Sequence, residues 1–586
     1  MRTKALLAAG AALALAIPAL AQEVVQTQPA TGGTTPVTTP SNSVAASSRP
    51  ATSVPRQSVS PDESAVEMVA GLNLPPPPPP VEYPGWARRD IRDVGQLNPE
   101  EFGLGPDPFG DASGAFLSTL MRRMDTPIAS RWAHIALRDA LLAKVTAPRD
   151  VHPVDWVAER AWLLLRMGEA DATRMLIAGV DTDRFTPKMV QVAVQSALAS
   201  GDPPALCPIQ AGISKYEPNI RALVQAMCSA LAGEPETASA QIDDARRRGR
   251  IGGIDLALAQ KVVGAAGSGR AATIEWEPVD NLTAWRFGLS TATGMAPPDR
   301  LLNSASPQLR AFLARSPLLT AEQRLNSAFV AAGLGVFSSQ SLIDLYSAIY
   351  DSTDASDLPQ TDAWQVRQAF VGRDAETRIA AIRRLLAIGK GGFPKEGARA
   401  LAARAATLVA PDAKLGKDAP ELISAMLAAG YDEAAAKWIS VIGSMDDDAS
   451  DRCWAMLALG APNIADVGSG RLNAFIRRDN SPNRIRSALL VGGLAGLGRI
   501  DTDTANSLNR RHGLGLSRQS SWTRMIDAAA GRGQAGTVLV LTGTGFQTSR
   551  PDQLPAAHMF HAITSLHRTG QDFTARMIAA EALSRT

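Results

Sequence analysis

Apolar residues recur along most of the chain at the three- and four-residue spacing of an amphipathic helix. Between 154 and 167, Val157, Ala161 and Leu164 fall on one helix face. The same pattern recurs in three further segments: 219–232, 376–388 and 420–429. The best strand candidate, 537–542 (TVLVLT), is equally compatible with a buried helix. The pattern therefore predicts an all-α protein.

A short motif recurs between the predicted helices. A leucine is followed two to four residues later by a glycine, and then by an acidic or polar residue and an alanine. The glycines of the four copies are Gly168, Gly233, Gly430 and Gly570. Glycine adopts the left-handed conformation that ends a helix, and acidic residues favour the start of the next one. Each copy therefore predicts an antiparallel helical hairpin.

In this Leu-x-x-Gly-x-x-x-Ala step the chain resembles tetratricopeptide-like and related α-solenoid repeats. The Trp, Tyr and Pro positions of the full tetratricopeptide signature are not met, and the uneven spacing of the four glycines indicates degenerate repeats. The resemblance implies an irregular helical-hairpin solenoid, a tetratricopeptide-like superhelix. The layout is also similar to secreted alphaproteobacterial proteins described as antifreeze glycopeptide-related, a likeness that implies no mechanism.

The first 21 residues have the features of a secretory signal peptide. Arg2 and Lys4 precede an apolar run over 5–17, and a small-x-small signature places cleavage between Ala21 and Gln22. An N-terminal anchor helix is the alternative, but the run is short for a membrane span. We therefore expect a periplasmic protein with no integral membrane span after signal removal.

Residues 22–85 are rich in Pro, Thr and Ser, and a segment with so little to bury is expected to be disordered. Six consecutive prolines at 75–80 predict a stiff polyproline II rod. The helix-compatible island 62–70 is either a transient helix or a docking motif, for a partner or for the body of this chain.

Two turn-rich stretches divide the remaining chain. They lie at about 265–300 and 408–420 and lack helical periodicity. The sequence thus predicts three helical-repeat lobes: 86–265, 266–410 and 411–586.

Charge and composition exclude several classes of protein. The chain has 59 Lys+Arg and 57 Asp+Glu, and loss of Arg2 and Lys4 with the leader makes the two counts equal. A neutral chain has no overall field to attract nucleic acid, so no nucleic-acid partner is expected. Aromatic residues make up only 5% while Ala and Leu are abundant, which favours helices packed through small residues over a β-rich fold.

The three cysteines are too few for a disulfide-built scaffold. Cys207 and Cys228 are the predicted disulfide, which would close a loop of about 20 residues and contribute about 3 kcal/mol. Two buried free thiols are the alternative. Cys453 is expected to be a small buried hydrophobic residue.

Several local patterns suggest chemistry that their context does not support. His558 and His561 share a helix face, but no third metal ligand accompanies them. The G-x-G-x-x-G match at 531–536 precedes the strand-like run instead of following it, so it predicts a turn between helices. The triplets 446–448 and 246–248 predict a helix start and a helix end. No metal or cofactor is expected.

Soluble lytic transglycosylases also contain a large α-superhelix, and a Glu-Ser pair with a later Gly-x-Met-Gln segment marks their catalytic domain. The Glu-Ser pair here, Glu63-Ser64, lies in the linker, and no Gly-x-Met-Gln follows. We therefore expect a non-catalytic scaffold that binds an envelope protein or a peptidoglycan or polysaccharide ligand. The alternatives are an enzyme or enzyme subunit acting on envelope glycans, which requires two facing carboxylates, and a structural or ice-related spacer. Tryptophans clustered on one wall would favour a glycan ligand.

Overall fold

The structure is a computed structural model that describes residues 89–216, 218–249, 251–267, 272–463 and 467–586. These residues are predominantly helical, which confirms the all-α prediction. The predicted signal peptide with its Ala21–Gln22 cleavage site, and most of the linker with its island at 62–70, lie outside the described residues.

Twenty-seven α-helices and two short strands form the described part of the chain. The N-terminal part contains β1 (Asp93–Val94), α1 (Gly114–Arg123), α2 (Arg131–Leu142), β2 (Val145–Thr146), α3 (Pro153–Met167), α4 (Ala170–Ile177), α5 (Pro187–Ala199), α6 (Gln210–Tyr216), α7 (Pro218–Leu231), α8 (Pro235–Arg247) and α9 (Gly253–Ala266). The middle contains α10 (Ala284–Thr291), α11 (Asp299–Asn303), α12 (Pro307–Arg315), α13 (Ala321–Leu334), α14 (Ser339–Ser352), α15 (Asp362–Val371), α16 (Ala375–Ile388) and α17 (Gly392–Ala406). The C-terminal part contains α18 (Ala419–Ala428), α19 (Asp432–Ala436), α20 (Asp447–Gly460), α21 (Ser469–Arg478), α22 (Ile485–Gly496), α23 (Thr502–His512), α24 (Ser521–Gly531), α25 (Ala535–Gly545), α26 (Ala556–Arg568) and α27 (Asp572–Ser584).

The predicted helix boundaries follow from side chains that satisfy the free backbone groups. Asp446 begins α20 by accepting a hydrogen bond from the Ala449 N–H at 3.0 Å, as predicted for the aspartate triplet. Arg246 and Arg247 lie in the last turn of α8, where cations favour the negative end of the helix dipole.

The four motif glycines each lie between two helices with a positive φ. The values are +98° at Gly168, +84° at Gly233, +80° at Gly430 and +83° at Gly570. At Gly430 the space is also restricted, since an added Cβ would lie 3.1 Å from the Trp132 ring and 3.2 Å from the Phe573 ring. Glycine is therefore required there both by the backbone conformation and by the close approach of two rings.

The ambiguous segment 537–542 is helical and lies in α25. All six of its residues are buried, because α25 packs against α1, α2, α24 and α26. A helix covered on every side has no polar face, so its sequence loses the helical period. The turn predicted at 531–536 connects α24 to α25, with Gly533 at φ +72°.

Two hydrophobic clusters stabilise the described residues. The larger contains buried side chains from Val94 to Leu583, and the smaller extends from Val190 to Leu289 around α5, α7 and α9. The larger cluster contains residues from all three predicted lobes. The boundaries between the lobes remain predictions. Among the described helices, none combines the length and apolarity needed to cross a bilayer.

Helices from the two ends of the described chain pack against each other. In particular, α1 and α2 contact α25, and α2 also contacts α27. Glu581 of α27 accepts hydrogen bonds from Ser130 Oγ at 2.5 Å and from the Arg131 N–H at 2.9 Å, and so caps the start of α2. In an open solenoid each repeat touches only its neighbours. Here the first helices of the described chain also contact its last helices, in addition to the packing between neighbouring helices.

Candidate functional site

A cavity of about 730 Å³ lies among α17, α18, α20, α21 and α27. Its wall is strongly charged and carries both signs. The cationic side chains are Lys395, Arg399, Arg452, Arg478, Arg486, Arg550 and Arg585. The acidic side chains are Glu396, Glu421, Asp447, Asp448, Asp451 and Asp479.

A chain of buried ion pairs forms part of this wall. The guanidinium of Arg399, 3% exposed, donates to Glu396 at 3.1 Å and to both oxygens of Glu421 at 3.0 and 3.2 Å. Arg585 approaches Glu396 at 3.7 Å and donates to Glu581 at 2.8 Å. The wall is therefore continuous with the contact between α27 and α2, and its buried carboxylates already have cationic partners.

Asp451 forms a second fixed part of the wall. Arg478 donates to its two oxygens at 2.6 and 2.7 Å, and Arg471 lies 3.0 Å from one of them. A bidentate pair of this kind restrains both side chains in one geometry. Both carboxylate oxygens of Asp451 are therefore already paired with Arg478 in the absence of a ligand.

Two of the cavity carboxylates have lowered pKa values. Burial alone raises the pKa of Glu421, but the charges of Arg399 and Lys395 outweigh it. Burial likewise raises the pKa of Asp479, but hydrogen bonds from Ser481 and Ser487 outweigh it. A glycosidase acid must be protonated near neutral pH. Neither Glu421 nor Asp479 is suited to that role.

Three other cations at the cavity make fewer contacts than Arg399 does. Lys395 and Arg452, each 45% exposed, approach Glu421 at 3.6 and 3.8 Å, and Arg486 donates to the Thr586 backbone oxygen at 2.9 Å. Ser424 also lines the cavity, and its buried hydroxyl oxygen has no hydrogen-bond partner within the described structure. These four side chains retain free hydrogen-bonding capacity.

Tryptophan contributes little to this surface. Trp156 and Trp438 are buried at 1%, and Trp132 uses its indole N–H on the Leu427 carbonyl at 3.1 Å. Phe475 is the only aromatic residue in the described wall of the cavity. The stacking platform that would favour a glycan is therefore not found among the described lining residues.

The candidate histidines each have a separate partner. His558 packs against the Trp522 ring with the centroids 4.3 Å apart, and His561 lies 2.9 Å from Asp527. His567 pairs with Asp572 at 2.9 Å. Within the described residues, no group of three or more potential ligands could hold a metal ion.

The structure joins Cys207 to Cys228 by a disulfide, with the Cα atoms 5.6 Å apart. The bond links the 3-10 helix Pro203–Ile209 to α7, beside the smaller hydrophobic cluster. Cys453 is buried, and burial raises the pKa of its thiol to about 12. A thiol with so high a pKa is a poor nucleophile at neutral pH.

Replacing Cys207 and Cys228 together by serine should lower the unfolding free energy by about 3 kcal/mol, because the unfolded chain then regains the freedom of the closed loop. Urea unfolding followed by circular dichroism measures this loss. Wild-type protein treated with a thiol reductant is the control and should lose a similar amount. An unchanged midpoint in both samples would show that the bond contributes no stability.

Replacing Asp479 by asparagine should cost about 1.5–3 kcal/mol near neutral pH, because a charged acceptor is lost. The carboxylate accepts from Ser481 N and Oγ at 2.9 and 2.6 Å, and from Ser487 N and Oγ at 2.9 and 2.5 Å.

The lowered pKa of Asp479 gives this prediction a pH dependence. Stability from such a group is present above the ordinary aspartate pKa and disappears as pH falls through the lowered value. The difference between wild type and D479N in urea unfolding should therefore shrink only in strong acid. Exposed Asp280 provides the matched control variant, D280N. A constant difference at every pH would contradict this assignment.

The cavity itself was not predicted from the sequence, because its lining residues are spread from 392 to 586. One local signal was available. Five arginines occur between 471 and 486, and two of them, Arg478 and Arg486, line the cavity.

Comparison with known proteins adds no assignment: no family model, curated protein or solved structure matches this chain.

Proposed function

We propose that this protein is a non-catalytic periplasmic scaffold of degenerate helical hairpins that binds an envelope protein through the charged cavity. The observation that carries the proposal is the wall itself, in which fixed ion pairs surround cations with free hydrogen-bonding capacity. Charged side chains arranged in this way give specificity toward a charged partner.

A protein segment suits this wall better than a neutral glycan does. Glycan sites depend on flat aromatic surfaces for the sugar rings, whereas Phe475 alone is aromatic in the described wall. A peptide carries side chains of both signs and can pair with both kinds of wall residue. A peptidoglycan or polysaccharide ligand is therefore the less favoured partner.

The lowered pKa values of Glu421 and Asp479 make these two carboxyl groups unsuitable as the general acid of a glycosidase. An enzyme acting on envelope glycans would need a carboxyl group that stays protonated near neutral pH. Both of these groups have pKa values shifted in the opposite direction.

The periplasmic location is supported by two features. The N-terminal sequence has the charge, apolar run and cleavage signature of a secretory leader. The Cys207–Cys228 bond fits an oxidising compartment, since disulfides are rare in reducing ones.

The test is chemical cross-linking of purified tagged protein in envelope extracts, followed by recovery and mass spectrometry. Wild type should recover a specific envelope protein, and a variant with Arg452→Glu and Arg486→Glu should lose it. The matched control is Arg373→Glu, because Arg373 does not line the cavity and its side chain is 89% exposed.

Equal recovery by wild type and the cavity variant would overturn the proposal. So would turnover of a purified envelope glycan that depends on the cavity residues, because it would establish the enzymatic alternative.

A further inference from the structure

We propose that the cavity contains a carboxylate-binding site, formed by Lys395, Arg452, Arg486 and Ser424, that takes the acidic side chains of a peptide segment. This inference rests on the proposed function and specifies the chemistry of the partner.

The first argument concerns Glu421, which lies close to two of the cations without accepting a hydrogen bond from either. Arg399 satisfies both oxygens of Glu421 through a bidentate contact at 3.0 and 3.2 Å. Lys395 and Arg452 then lie at 3.6 and 3.8 Å from the same carboxylate, beyond ordinary hydrogen-bond length. Glu421 is their only ion-pair partner within the described residues. Both therefore lie at the cavity with hydrogen-bond donors that Glu421 does not use.

Ser424 supplies a neutral donor on the same helix. It lies one turn after Glu421 on α18, is 3% exposed and lines the cavity. Its hydroxyl oxygen has no partner within the described structure. A buried hydroxyl without a partner is unfavourable, and a carboxylate that displaces the atoms covering it would accept its hydrogen bond.

Arg486 belongs to a segment with a well-fixed backbone. Asp479 holds that segment through Ser481 and Ser487, and the Arg486 N–H donates to Ser481 Oγ at 3.2 Å. Asn483 and Arg484 have left-handed φ values of +52° and +51°, a conformation that Asn tolerates and that is uncommon for Arg.

The segment that contains Arg486 is rich in arginine. Residues 467–524 contain ten arginines and three aspartates, of which Arg478, Arg486 and Asp479 line the cavity. Arg484 lies 3.0 Å from His512, at the end of α23 whose last turn contains Arg510 and Arg511. Arg484, Arg510 and Arg511 are exposed, and exposed cations of this kind would attract an acidic segment from solution.

A peptide suits the site better than a phosphate polymer, although a guanidinium group binds both anions. Asp447 and Asp448 line the same cavity and are exposed, Asp447 at 78%. These two aspartates would repel a continuous run of phosphates. A peptide can place its carboxylates away from the two aspartates and its own cations beside them.

The test is isothermal titration of the purified protein with four probes. They are a blocked peptide of alternating glutamate and alanine, the same peptide with glutamine, inorganic polyphosphate and inorganic phosphate. The glutamate peptide should bind at least about tenfold more tightly than the glutamine peptide, since hydrogen bonds to charged groups are the stronger ones. Its affinity should fall with added salt.

The variants separate binding from folding. Arg486→Gln should weaken binding of the glutamate peptide about tenfold, and Lys395→Gln or Arg452→Gln about threefold each, since both side chains are partly exposed. Ser424→Ala should weaken binding without lowering the unfolding midpoint, because its hydroxyl has no partner to lose. Arg373→Gln, at an exposed arginine outside the cavity, should bind as wild type does.

Three results would overturn the inference: equal affinity for the glutamate and glutamine peptides, tighter binding of polyphosphate than of the glutamate peptide, or unchanged binding in all four cavity variants. If the glutamate peptide fails while capture of an envelope protein still depends on Arg452 and Arg486, the carboxylate chemistry is wrong and the proposed scaffold function stands. Loss of that capture dependence would instead remove the proposed function.

Discussion

Replacing Glu581 by alanine should lower the unfolding free energy by about 3–5 kcal/mol, the cost typical of breaking a buried ion pair by removing one partner. Glu581 is 6% exposed and accepts hydrogen bonds from Ser130 Oγ and the Arg131 and Trp132 N–H groups at 2.5, 2.9 and 3.3 Å. It also pairs with Arg585 at 2.8 Å. Its loss leaves the Arg131 and Trp132 N–H groups without this acceptor, although Ser130 Oγ still caps α2 by accepting from the Ala133 N–H at 3.1 Å. It also leaves the buried Arg585 guanidinium without its closest acidic partner.

Urea unfolding followed by circular dichroism measures this effect. Exposed Glu275 provides the matched control, and Glu275→Ala should change stability by no more than about 0.5 kcal/mol. If Glu581→Ala proves as stable as Glu275→Ala, the contact between α27 and α2 does not hold the two ends of the described chain together.

Replacing Arg160 by alanine should cost about 3–5 kcal/mol, because three carbonyl groups lose a buried donor and a large side chain leaves a cavity. Arg160 is fully buried and donates to the carbonyls of Val94, Ala143 and Leu141 at 2.6, 2.9 and 3.2 Å. It thereby joins β1 to the end of α2. Burial lowers its pKa to about 9, and no acidic side chain pairs with it in the described structure.

Arg160→Lys should recover little of this loss, because one ammonium group cannot reproduce the planar fork that reaches all three carbonyls. Thermal and urea unfolding would measure both variants beside Arg373→Ala as the exposed control. A loss below about 1 kcal/mol for Arg160→Ala would contradict the role assigned to this side chain.

The fold class could be predicted from the sequence because local rules set it. The apolar period of segments such as 154–167 gives amphipathic helices, and the four motif glycines adopt the left-handed turns expected of them. The same rules fail where burial is complete, as in α25. The strands β1 and β2 escape detection because each has two residues, too few for an alternating pattern.

The contact between α2 and α27 and the cavity could not be predicted, because each is formed by residues that are far apart in the sequence. Glu581 caps a helix 450 positions away, and no local pattern encodes that pairing. In the sequence, Glu421 and Arg399 are indistinguishable from charged residues on solvated helix faces. Only tertiary packing brings them together as an ion pair beside a cavity, with Arg399 buried and Glu421 partly buried. The five arginines between 471 and 486 are the one local indication of a charged site.

Site-specific photo-cross-linking in the producing cell tests the central claim most directly. A photoreactive amino acid would replace Asn480, an exposed residue of the cavity wall, and in a second strain exposed Gln360, which does not line the cavity. We expect one defined envelope protein to be cross-linked from position 480, to be lost when Arg452 and Arg486 become glutamate, and not to be cross-linked from position 360. Cross-links that are absent from position 480, or that are the same from both positions, would contradict the account.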